Sequence, residues 1–169
     1  VIENVHNYRS ELGILYLNDF NRKAMQKIFA ENDLEFTELF QCDVYVYLSN
    51  HHPLAGRDKI TFEELGDYPC LSFEQGDKNS FYFAEEVFST LQYKQMIKAD
   101  DRATMLNLMV GMNGYTLCSG IICEELNGDG YSAIPLETDE KMTIGYIKRK
   151  GMHISHIGKS YIEILRGYA

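Results

Sequence analysis

Apolar positions along this chain change their period repeatedly, from near-continuous runs to helical stripes and back. Leu12 to Leu17 is a short, almost unbroken apolar run, the pattern of a buried strand. Asn18-Asp19 can cap a helix, and Phe20, Ala24, Met25, Ile28 and Phe29 then recur at helical spacing until Asn32-Asp33. Phe36 to Leu48 reads as one long β segment with Cys42–Leu48 at its centre, and the turn Ser49–Leu54 is a candidate lobe boundary. Thr61 and Glu64 stand at capping-box spacing and predict a short helix. Pro69–Phe73 is a second buried strand and Glu74–Ser80 a polar loop. Phe81, Ala84, Val87, Phe88 and Leu91 share one face of a further helix, and Gln95–Ala99 is a third strand.

The most telling segment is Asp100–Gly120. Two acids open it, an apolar-rich helix comes next, Asn113-Gly114 stops the helix, and a short β run ends at Ser119-Gly120. Beyond it come two more strands, Ser132–Leu136 and Met142–Ile147. Ser155 then caps a final helix whose apolar side carries Ile157, Tyr161, Ile164, Leu165 and Tyr168. Strands alternating with helices predict an α/β fold with a largely parallel sheet, and in such sheets ligands sit beyond the carboxyl ends of the strands. Three loops fall there: Asn18-Asp19, Phe73–Ser80 and Asp100–Arg102. Each precedes a helix N-terminus, where free N–H groups attract anions. Ordinary capping accounts for any one of them; three on one edge point to a cleft.

Composition narrows the classes. The chain has 169 residues, 45% hydrophobic and 24% charged, which is ordinary for one sizeable globular domain or two small lobes. A formal net charge of -9 disfavours contact with phosphate backbones, so nucleic acid is a poor partner for this chain alone. Lys148-Arg149-Lys150 is a tight basic cluster that reads as a solvated turn. Neither a membrane-length apolar run nor a signal peptide is seen. Cys42, Cys70, Cys118 and Cys123 form no CxxC pair and read as buried reduced thiols of a cytoplasmic protein. His51, His52, His153 and His156 lack partners at ligand spacing, so neither a metal nor any other cofactor is expected. Val1-Ile2-Glu3-Asn4 lacks Met and begins inside a patterned segment, the mark of a fragment or a processed chain.

Five short stretches, weak singly, carry a resemblance when taken in order. Glu11-Leu12-Gly13-Ile14 is similar to a "D-L-G-I" strand, and Tyr45–Ala55, ending His52-Pro53-Leu54-Ala55, to a strand followed by "H-P-L-A". Thr61–Leu65 through Pro69–Phe73 resembles a short helix and its following strand. Asp101–Gly120 is similar to "L-x-L-V-x-x-G-x-G" and the strand after it, and Ile134-Pro135-Leu136 and the closing helix also fit. The set resembles the effector-binding domain of LysR-type transcriptional regulators over almost the whole chain. Where the family has "L-P-x" this chain has Cys118-Ser119-Gly120, so the local turn is expected to differ. The match begins at the family's third strand, without the winged helix and the first strand-helix-strand unit.

The resemblance implies an α/β, two-lobe, type-II periplasmic-binding-protein-like fold whose first lobe is incomplete and leaves a sheet edge to cover. The first lobe would comprise 1–49 and 136–169 and the second 50–135, with hinges near Leu48–Asn50 and Ala133–Leu136. A small metabolite would bind between the lobes and shift their arrangement, controlling transcription through DNA-reading heads outside this chain. The implied effector contacts are Tyr16 and Asn18, then Phe73, Glu74 and Gln75, then Asp101, Arg102 and Ser119. Arg102 is the expected carboxylate grip, because a guanidinium binds carboxylate bidentately; its competing use is an ion pair with Asp100, Asp101 or Glu74. The effector would be an amino acid or another carboxylate. The helix Phe81–Leu91 would serve a homodimer or tetramer. The alternatives are a solute-binding protein of a transport system and a dehydratase- or transferase-type enzyme on the same fold. Neither a nucleophile elbow nor a phosphate loop is present, so no enzyme is expected.

Overall fold

The computed structural model describes residues 1–74, 87–88, 91–122 and 128–168. In chain order the elements are α1 (Ile2–His6), β1 (Gly13–Leu17), α2 (Arg22–Glu31), β2 (Leu34–Asp43), β3 (Tyr45–Ser49), α3 (Phe62–Leu65), β4 (Cys70–Phe73) and β5 (Met96–Ala99). They continue with α4 (Arg102–Gly111), β6 (Tyr115–Cys118), β7 (Tyr131–Pro135), β8 (Lys141–Arg149) and α5 (His156–Arg166). Among the described residues no helix is long and apolar enough to cross a membrane. The chain forms two compact units: Val1–Cys42 with Glu140–Ala169, and Asp43–Asp139.

The first unit is built on a three-stranded sheet of order β1-β8-β2. β1 runs antiparallel to β8, with Gly13 opposite Ile147 and Leu17 opposite Thr143. Its core gathers Val5, Leu17, Met25, Phe29, Leu34 and Ile147, and the Phe29 and Phe36 rings stack 6.1 Å apart. Gly145 lets β2 come close: a Cβ there would fall against the Phe36 ring and 2.5 Å from the Thr37 carbonyl oxygen. Glu11 ties the start of β1 to α5 by accepting from the Ser155 N–H and, at 2.8 Å, from its hydroxyl. Ser155 in turn caps α5 by accepting from the Gly158 N–H at 3.0 Å.

The second unit holds a five-stranded sheet of order β5-β4-β6-β3-β7. β4 is parallel to β5 and β6, whereas β3 is antiparallel to β6 and β7. α4 covers one face, where Tyr47, Leu71, Ala99, Met105 and Met109 form a core cluster. Thr61 and Glu64 close the capping box that the sequence predicts, starting a helix of one turn. Asn113, at φ 50, takes the left-handed position after α4, and the Gly114 N–H returns to the Met109 carbonyl at 3.1 Å.

The α/β class and the division into two units are as expected, but several expectations need correction. The pairing is not largely parallel: β4 is parallel to β5 and β6, but β3 is antiparallel to β6 and β7, and β1 to β8. The single segment Phe36–Leu48 is two strands that belong to different units, joined through the fully buried Val44. The chain therefore passes between units at 42/43 and 139/140 rather than near 49 and 136, and β3 lies inside the second sheet instead of the first lobe. α2 starts at Arg22, with Asn21 rather than Asn18-Asp19 at its N-cap, which leaves Phe20 outside the helix and 50% exposed. On α5 the buried positions are Gly158 and Ile162, while Ile157, Tyr161, Ile164 and Tyr168 are exposed. The helix expected over Phe81–Leu91 lies largely outside the described residues, as do Gln75 and Cys123.

Candidate functional site

The parallel part of the second sheet decides which loops meet. Because β4 pairs in parallel with both β5 and β6, their carboxyl ends share one edge. Phe73 lies opposite Ala99 there, and the Glu74 N–H bonds the Ala99 carbonyl at 2.9 Å. Phe73-Glu74, Asp101-Arg102 and Ser119 thus come to the same edge. Tyr16 and Asn18 stand at the carboxyl end of β1 in the first unit.

The charged members of this edge are in different states. Asp101 is the N-cap of α4, in extended backbone, and accepts from the Thr104 N–H at 2.8 Å. The hydrogen bonds from Thr104 hold its carboxyl below the usual aspartate range. Glu74 pairs with Lys98 at 3.4 Å. Arg102, in the first turn of α4, is exposed, and no carboxylate of the described residues lies within 4.0 Å of its guanidinium. The competing ion pair to Asp100, Asp101 or Glu74 is therefore not made. Phe73 and Ser119 are half-buried. Gly120, next to Ser119, has φ +77 and lies under the Tyr45 ring, where a Cβ would meet ring carbons at 2.6 Å. That contact gives a physical reason for Gly at the point where the chain departs from the family's pattern.

In the first unit, Asn18 is buried and closed on Asn21. Each side-chain oxygen accepts the other residue's backbone N–H at 2.9 Å. The Asn18 carboxamide oxygen is thus already occupied by the turn into α2. Tyr16 is half-buried.

Two buried groups of the second unit escape the sequence reading of polar loops. His52 is 3% exposed. Its Nδ1 accepts from the Leu54 N–H at 3.0 Å, so its Nε2–H donates to the Asn113 carbonyl at 2.9 Å. Burial pulls its pKa down, partly opposed by the bond to Asn113. Tyr47, in the middle of β3, is buried on the α4 face and stacks on Tyr131 with ring centroids 5.5 Å apart. It sits inside an apolar run, where periodicity marks only a strand; its hydroxyl was the one available signal. Among the described cysteines, Cys70 is buried, Cys42 and Cys118 are half-buried, and none of the three is in a disulfide.

Comparison with known proteins fits this architecture. The family model for the LysR substrate binding domain matches residues 1–169. A curated relative, the malolactic fermentation system transcriptional activator of Lactococcus lactis subsp. lactis (strain IL1403), is 27% identical over 137 residues. That match covers 79% of this chain and 46% of the relative, so the chain spans about half the length of the curated relative it matches. Among solved structures, the effector-binding domain of QuiR in complex with shikimate superposes with a TM-score of 0.64 at 19% identity, covering 99% of this chain and 75% of that one. The BenM effector-binding domain with its effector benzoate gives 0.62 at 20% identity, covering 98% and 73%. The chain belongs to the LysR substrate-binding domain family, a family of ligand-sensing regulatory domains rather than of enzymes.

Proposed function

We propose that this chain is the metabolite-sensing part of a cytoplasmic LysR-type transcriptional regulator, that its effector is a small carboxylate, and that it carries out no catalysis. The observation that carries the reading is Arg102. It stands exposed in the first turn of α4, without a carboxylate partner among the described residues, while its acidic neighbours Asp101 and Glu74 are engaged with Thr104 and Lys98. A guanidinium so placed at the carboxyl edge of a sheet suits an acid, since it can hold both carboxylate oxygens. Shikimate and benzoate, bound by two proteins of similar fold, are both carboxylates.

In this reading Asp101 fixes the first turn that presents Arg102, and Phe73, Glu74 and Ser119 flank the ligand. Tyr16 and Asn18 of the first unit, and Gln75, are retained as expected effector contacts. Effector binding shifts the population of regulator conformers, and the longer protein reads DNA as a homo-oligomer through a winged helix.

Replacing Arg102 with Gln tests the reading by isothermal titration against a panel of mono- and dicarboxylates. The expected result is a loss of about tenfold to a hundredfold in affinity, the worth of a charge-assisted hydrogen bond pair. Unchanged affinity would overturn the carboxylate grip, and turnover of any panel member would overturn the sensor reading.

A further inference from the structure

Tyr47 carries a hydroxyl that the fold leaves unused. The residue is 7% exposed, and its hydroxyl oxygen, closed off from water, has no hydrogen-bond partner among the described residues. Buried hydroxyls are normally paired, because an unpaired one keeps its full desolvation penalty. The aliphatic alternative was open to this strand: Val46 and Leu48 flank Tyr47 and are fully buried.

The position of the hydroxyl is informative. Tyr47 lies opposite Thr116 of β6 and Ala133 of β7, on the face that α4 covers. It shares its core cluster with Ala99, the last residue of β5, and Met105, in the first two turns of α4. Cys118, next to Ser119, packs against the same cluster. Tyr47 is therefore set beneath the edge that bears Phe73, Arg102 and Ser119, one layer deeper than the loops. Burial raises its pKa and the Arg102 charge works against that rise, so phenol and guanidinium sense each other. The group stays protonated at neutral pH and is available as a donor.

We propose that Tyr47 is a specificity-determining contact of the effector site, its hydroxyl donating to an acceptor oxygen of the carboxylate-bearing effector that Arg102 grips. The inference rests on the reading of Arg102 given above. In this structure the oxygen is sealed, so binding must open it. That opening breaks no existing hydrogen bond of the hydroxyl, which makes it cheaper than at a paired tyrosine. Selectivity comes from the bond gained: an acid that places an acceptor there satisfies a donor that is otherwise unpaired, and one that places none forgoes that hydrogen bond.

Tyr47→Phe and Arg102→Gln, measured side by side, test this. Thermal denaturation without ligand comes first, then isothermal titration with a panel of mono- and dicarboxylates, benzoate and shikimate among them. Tyr47→Phe removes only the oxygen, so its ligand-free Tm should equal or exceed that of the unaltered protein. A fall of more than about 3 °C, a sizeable loss for a domain of this size, would mean that the hydroxyl already has a partner, a trapped water included, and would overturn the inference. For the acid that binds best, Tyr47→Phe should weaken affinity about tenfold. If Arg102→Gln weakens binding and Tyr47→Phe does not, the inference falls and the effector reading stands. If Arg102→Gln leaves affinity intact, or no carboxylate binds, both fall.

Discussion

His52 is the residue through which mild acid reaches this fold. Its ring is buried, accepts from Leu54 and donates to the Asn113 carbonyl, which requires the neutral form. Burial depresses its folded pKa below the ordinary histidine value, so the unfolded chain takes up the proton first. The stabilisation is complete above the unfolded pKa and is lost as pH falls below it toward the folded value. Thermal melts between about pH 7.5 and 5, spanning the ordinary histidine range, should show a decline that His52→Ala lacks. At the upper pH that variant should already be about 2–3 kcal/mol less stable, because it strands one buried N–H and one carbonyl. A parallel pH dependence in both proteins would remove His52 from this role. The first ring of contacts around this histidine explains why a His-Pro-Leu-Ala turn needs its histidine: it ties the end of β3 to the C-terminus of α4.

At the scale of elements, α5 separates what periodicity can tell from what it cannot. Ile162 is 4% exposed whereas Ile157 is 81% exposed, although both belong to the helix's apolar content. Ile162→Ala should cost about 2–4 kcal/mol in chemical denaturation. Ile157→Lys should stay within about 0.5 kcal/mol of the unaltered protein. Equal effects would contradict the burial pattern. The sequence reading put Ile157 on the apolar side and left Ile162 out, the reverse of the burial, because a stripe on a helical wheel reports amphipathicity and not which side is covered. The same limit applies to Phe36–Leu48. No turn residue marks the passage from β2 to β3, since the junction is the single buried Val44. The caps were legible because they rest on local chemistry: Thr61 with Glu64, Asp101 with Thr104 and Ser155 with Gly158 all sit where the spacing puts them. The candidate site was legible to the same depth. Arg102 and Asp101 could be placed at a helix start, but Tyr47 could not, because its relevance comes from a missing partner in three dimensions.

At the scale of the whole molecule, the two units differ in how the chain supplies them. The second is one unbroken stretch, Asp43–Asp139, while the first draws on segments to either side of it. Residues 43–139 expressed alone should retain a cooperative thermal transition by circular dichroism, since all five strands of their sheet lie within that stretch. A gradual, non-cooperative melt would argue that this sheet depends on residues outside it. The strand order β1-β8-β2 has a consequence in time. β8 sits between two strands that do not pair with each other, so β1 and β2 cannot join this sheet until β8 exists. At about 5–20 residues per second, synthesis leaves them without that partner for on the order of ten seconds while the second unit assembles. Of the two units, the one whose synthesis starts earlier is therefore completed later, and its early strands need protection by the ribosome or a chaperone for that interval.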